Sequence, residues 1–105
     1  MEIIAPQEGN ELPLNFLAIK RLERSDLEIV EIVLNENQVI DLHRLSCKVI
    51  FYVKNGEGIF LSENAQKKVD KGTIIVVEPD ELRGWACEQG KNIELLVVKV
   101  MRLGL

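Results

Sequence analysis

Apolar and polar positions along this chain alternate in short runs, and residues that make turns separate the runs. Asp26–Leu34 reads DLEIVEIVL, with Leu27, Ile29, Glu31 and Val33 on one pleat face and Glu28, Val30 and Ile32 on the other. Its length and its Ile and Val content predict a strand. Val39–His43 is a second short run, and Val49–Val53 (VIFYV) is apolar throughout. Lys54-Asn55-Gly56 follows, and Asn-Gly is a strong hairpin signal because both residues tolerate positive φ. Gly58–Leu61 is expected to return from that turn. Further runs at Gln66–Val69, Thr73–Val77, Leu82–Cys87 and Ile93–Met101 are divided by Ser62-Glu63-Asn64, Asp70-Lys71-Gly72, Glu78-Pro79-Asp80 and Gln89-Gly90-Lys91. In the first 25 residues, Leu14, Leu17, Ala18 and Leu22 fit a helix after Pro13, while Phe16, Ala18 and Leu22 also fit period two. A strand is expected there, because every later segment reads as strand. About nine short strands at this spacing predict an all-β sandwich or barrel.

Three of these runs, VIFYV, TIIVV and LLVV (Leu95–Val98), are apolar on both pleat faces. A sandwich strand turns one face to the core, and its other face is ordinarily polar. No amphipathic helix is evident to cover the second face, so a second copy of the chain is the expected cover. The expectation is a two-fold homodimer.

Composition narrows the classes. The chain has 105 residues, 47% of them hydrophobic and 29% charged, which suits one globular domain over residues 1–105 and argues against disorder. The net charge of −4 disfavours nucleic acid as a partner. No apolar run reaches the length of a membrane-spanning helix, and MEIIAPQEGN lacks a basic flank followed by an apolar run. A cytoplasmic location is expected, with Cys47 and Cys87 as free thiols.

Two segments carry a resemblance. LHRLSCKVIFYVKNGEG (Leu42–Gly58) and KGTIIVVEPDELRGW (Lys71–Trp85) resemble the first and second motifs of the cupin superfamily. The resemblance implies a double-stranded β-helix, or jelly-roll barrel, with its ligand site inside. The first motif has His-X-His, a glutamate and a closing glycine. Aligned on Gly56, His43 falls on the first histidine, Leu45 on the second and Val49 on the glutamate. In the second motif Gly72 matches the opening glycine, and Glu78 stands in place of the proline with Pro79 adjacent. Asp80 replaces the next glycine, Arg83 takes the third histidine position and Cys87 the asparagine. A shift of one residue would put Gly84 in place of Arg83.

The metal site that the resemblance implies needs three imidazoles and one carboxylate. Here only His43 keeps a ligand, and Leu45 and Val49 have no lone pair to offer, so no metal and no cofactor are expected. A site rebuilt from His43, Cys47 and Cys87 would suit zinc, but their spacing resembles no zinc motif, and buried apolar cysteines are the commoner state. Arg83 could hold a carboxylate or phosphate in a bidentate fork. The commoner state is a pair with Glu78, Glu81, Asp41 or Glu88, or exposure to solvent. Trp85, Phe51 and Phe60 could line a pocket or simply fill the core.

The preferred reading is a small cupin-like protein without the usual metal site. It would bind a small organic ligand, anionic or sugar-like, or act as a non-catalytic partner or sensor. Its ligand-binding residues would be His43, Leu45, Val49, Arg83 and Trp85, with no catalytic residue assigned. The alternative is a metal-free isomerase or epimerase acting on a sugar or keto acid. There His43 would be the base, Asp41 would orient it from two residues away, and Tyr52 would be the acid. A metal-dependent enzyme with rebuilt ligands is the third reading.

Overall fold

A computed structural model describes residues 1–101. Nine strands follow one another without a helix among these residues: β1 (Asn10–Glu11), β2 (Leu17–Glu23), β3 (Leu27–Leu34), β4 (Val39–His43), β5 (Lys48–Ser62), β6 (Gln66–Asp70), β7 (Ile74–Val77), β8 (Arg83–Ala86) and β9 (Ile93–Val100). All pairings are antiparallel. One layer runs β1-β2-β3-β9-β5-β7, and the other runs β6-β5-β8-β4. The N-terminal segment becomes strand rather than helix from Leu17 onward, because β3 offers it a ladder partner from Leu17↔Val33 to Glu23↔Glu28.

The 15-residue β5 belongs to both layers. Its first half pairs with β7 and β9, and its second half with β6 and β8. The hairpin expected at Asn55-Gly56 therefore does not form. A two-residue hairpin of that type needs positive φ at both residues, and only Gly56 has it, at 76°. Asn55 and Gly56 instead pair with Glu94 and Ile93 of β9, next to a register shift after Val53. The strand bends there and passes into the second layer. The bend requires glycine, because a Cβ at Gly56 would lie 2.0 Å from the carbonyl oxygen of Asn92.

Alternation along the strands separates the two faces of the first layer. Val30, Val97 and Phe51 form one inward row with Ile75, and the first three are almost wholly buried. The largest fully buried side chains are Trp85, Leu34, Ile93, Leu95, Val49 and Val53. The outward row on the same strands is Ile29, Val98, Ile50 and Val76, and the next is Glu31, Leu96, Tyr52 and Ile74. The outer face is thus as apolar as the sequence predicts. Ile74 and Val76 keep 63% and 51% of their surface exposed.

Candidate functional site

A cavity of about 150 Å³ lies between the two layers. Its polar wall residues are His43 at the end of β4, Arg83 at the start of β8 and Lys99 on β9; the rest of the wall is apolar. Phe51 and Trp85 form its aromatic side, with ring centroids 5.4 Å apart and planes at 71°. Phe60 meets Trp85 edge-on at 5.3 Å from behind and is not on the wall. Such edge-to-face pairs stabilise by about 0.5–1.5 kcal/mol beyond their buried area, so the indole plane is set by packing.

A bulge places the β4 residues. Ile40 pairs with Trp85 and His43 with Arg83, so two β4 residues oppose the single Gly84 of β8. The extra residue breaks the alternation. Ile40 and His43, three apart, both reach the wall. Asp41 does not share the face of His43, as simple alternation would have it. What His43 meets is the main chain: its Nδ1 lies 2.9 Å from the carbonyl oxygen of Asp41. Tyr52 is on the outer face of the first layer, 39% exposed. The trio of His43, Asp41 and Tyr52 is therefore not assembled.

Arg83 is 3% exposed, the one buried charged side chain among the described residues. Its Nε and Nη1 have no hydrogen-bond partner there, and neither has Nε1 of Trp85. None of the four expected carboxylates reaches it. Glu78 faces Lys48 at 3.6 Å, Glu81 accepts from the main-chain N–H of Glu78 at 2.6 Å, and Glu88 faces Lys68 at 3.5 Å. The Asp41 side chain makes no ion pair among the described residues. Burial lowers the Arg83 pKa from its ordinary value, and the nearby Cys47 works in the opposite sense. The competing register with Gly84 in this place does not hold, because Gly84 backs onto the β4 main chain. Asp80, which replaces a motif glycine, has φ 67°, the left-handed conformation that glycine adopts most readily.

Four of the five expected site residues, His43, Leu45, Arg83 and Trp85, surround this cavity. Val49 is fully buried in the core and is not on the wall. It lies beside Val77 and Lys99, and Phe51, two residues on along the same pleat face, supplies the share of β5. Lys99 escaped the sequence reading. The signal for it was present, since Ile93, Leu95 and Val97 point inward and alternation carries Lys99 to the same face. Lys99 Nζ lies 3.7 Å from Glu28, and Lys20 lies 3.7 Å from the other oxygen of Glu28 and 2.8 Å from Glu23. Leu12 and Phe16 also reach the wall from the irregular chain before β2; Phe16 fits the period-two run with Ala18, whereas no periodicity marks Leu12.

The wall offers a divalent ion one imidazole, no carboxylate and no thiol, beside two cationic side chains. That donor set does not fit a metal. Cys87 lies at the other end of β8, where its N–H donates to Gln38 and its carbonyl accepts from Asn37. Its thiol does not join His43 and Cys47, and no three metal-ligating side chains gather anywhere among the described residues.

No family model matches the chain, and no curated protein matches it in sequence. Solved structures do match in fold. The polyketide cyclase RemF of Streptomyces resistomycificus superimposes with a TM-score of 0.84 at 15% identity, over 97% of this chain and 80% of that one. KdgF of a Halomonas species gives 0.81 at 14% identity, over 97% and 96%. An RmlC-like cupin protein of Desulfovibrio desulfuricans gives 0.75 at 16% identity, over 95% of each. The jelly-roll fold implied by the two motifs is the fold observed.

Proposed function

We propose that this cupin-fold chain is a metal-free binding module for a small organic anion, held in the barrel cavity with Arg83 as its charge anchor. One observation carries the reading: a buried guanidinium on the wall of an apolar cavity, with no carboxylate to neutralise it. An unpaired buried charge costs on the order of 3–5 kcal/mol. A ligand carboxylate or phosphate would offset that cost through charge-assisted hydrogen bonds. The sign of the wall supports the same reading. The chain carries a net charge of −4, yet its cavity presents only cationic and neutral groups. Few polar groups in an apolar concavity is how small-molecule sites are generally built.

The isomerase alternative has less support. Its base would need an orienting carboxylate, and His43 meets a main-chain oxygen instead. Its acid would be Tyr52, which faces away from the cavity. The module is proposed to work as a homodimer through the outer face of the first layer, and in the cytoplasm, where its free thiols would stay reduced.

Native mass spectrometry of the gently purified protein tests the reading. An organic acid retained by the wild type and lost in Arg83→Met is the expected result. A stoichiometric transition metal, or a neutral ligand retained equally by both proteins, would overturn it.

A further inference from the structure

The proposed site constrains its ligand further than "organic anion". From the wall's charge, size and polarity we infer that the ligand is a monocarboxylic acid with a compact apolar body, about the size of one six-membered ring. The inference rests on the anion-binding reading above and narrows it.

Charge is the first constraint. Lys99 already faces Glu28, and Lys20 faces both Glu28 and Glu23. Two ammonium groups thus meet two carboxylates at that end. Arg83 remains the one wall cation without a protein carboxylate. One negative charge on the ligand completes the balance. A dianion would bring a second charge into a low-dielectric wall with nothing left to neutralise it.

Size is the second. A cavity of about 150 Å³ matches the volume known to admit a benzene ring. The edge-packed Phe51 and Trp85 rings form one side of it, a surface suited to a flat or compact hydrocarbon body.

Polarity is the third. Away from His43, Arg83 and Lys99 the wall is apolar, with Leu12, Ile32 and Val97 among it. Beyond those three polar residues and the unpaired indole N–H of Trp85, each hydroxyl of a sugar acid would lose water there without gaining a partner, weakening binding by roughly tenfold or more per hydroxyl. The wall therefore selects against polyhydroxylated acids.

A titration series on the full chain tests this, read by fluorescence of Trp85, the single tryptophan, and by calorimetry. The probes are benzoate, cyclohexanecarboxylate, benzamide, gluconate, phthalate and inorganic phosphate. Benzoate and cyclohexanecarboxylate are expected to bind. Gluconate, phthalate, phosphate and the uncharged benzamide are expected to bind roughly tenfold or more weakly. Arg83→Met is expected to abolish the preference of benzoate over benzamide. Gluconate, phthalate or phosphate binding as tightly as benzoate, with benzoate still preferred over benzamide, would overturn the ligand class and leave the anion site standing. Benzamide equal to benzoate in the wild type, or no probe binding at all, would overturn the anion site itself. The wild-type series decides both questions even if the variant does not fold.

Discussion

Gly84 lies so close beneath the β4 bulge that a Cβ on it would stand 2.5 Å from the carbonyl oxygen of Ile40. The same bulge turns both Ile40 and His43 toward the cavity. The missing side chain therefore holds one side of the site in place. Gly84→Ala must push β4 away from β8. The expected cost is about 1–3 kcal/mol, as for other overpacked sites, together with weaker benzoate binding. Thermal unfolding and calorimetric titration check both effects. Unchanged stability and binding would show that β4 yields without consequence.

Arg83→Met replaces a buried, unpartnered charge by an apolar side chain of similar length. Replacing even a buried ion pair by apolar side chains is often neutral or stabilising by about 1–4 kcal/mol, and here no charged partner is left behind. The expected outcome is an equal or raised midpoint, by roughly 4–8 °C per kcal/mol for a domain of this size, with loss of anion binding. A large drop in the midpoint without ligand would mean that the guanidinium has a protein partner in solution.

Glu31 gives a pH dependence with a definite sign. A hydrogen bond from Lys54 at 2.6 Å holds its carboxyl below the ordinary value; burial works against this, and Arg21 adds to the lowering. A depressed carboxylate stabilises the folded chain above its unfolded pKa, and that contribution is lost as pH falls through the folded value. Glu31→Gln is expected to destabilise by up to about 1 kcal/mol at neutral pH, since the pair is partly exposed. The denaturation midpoints of variant and wild type are expected to converge as the pH drops below about 4. Parallel curves down to acid pH would remove Glu31 from the balance.

The two thiols are expected to differ in reactivity. Cys87 is buried, and burial first, then Glu88, Glu36 and Glu57, raise its pKa. Cys47 is only partly buried. Thiolate fraction and access govern alkylation. Iodoacetamide at pH 8 should modify Cys47 first and Cys87 only on unfolding, a sequence that peptide mass mapping resolves. Equal rates would show that the far end of β8 opens readily.

The outer rows Ile29, Val98, Ile50, Val76 and Leu96, Tyr52, Ile74 are the face proposed to meet a second copy. Val76→Lys and Ile74→Lys lie where exposure is greatest, so neither opens a hole in the core. A wild-type dimer and a variant monomer of unchanged secondary structure are expected in sedimentation at micromolar concentration. A monomeric wild type would leave that face for some other cover.

Much of the architecture could be read along the chain. β3, β4, β6 and β9 stand within about a residue of the periodic runs that predicted them, because β-branched alternation and turn chemistry are local properties. The apolar outer face was legible for the same reason. The closeness of His43, Leu45, Arg83 and Trp85 was legible only through the resemblance, since nothing in their spacing links β4 to β8.

What the sequence determined by itself was the identity of each strand's faces, and that His43 alone stands as a metal-ligating group where the two motifs would place four. The tertiary structure decided the rest. It carried β5 straight through Asn55-Gly56, because β9 and then β6 supplied ladder partners on either side of the bend. It separated His43 from Asp41 through a bulge that exists only opposite β8, and it kept Val49 off the wall while bringing Lys99 onto it. It also left Arg83 without a carboxylate, though Glu78, Glu81 and Glu88 nearby in sequence, and Asp41 on β4, could have served. Alternation is set between neighbours in the chain, whereas which side chains meet between the two layers depends on strand pairings many residues apart.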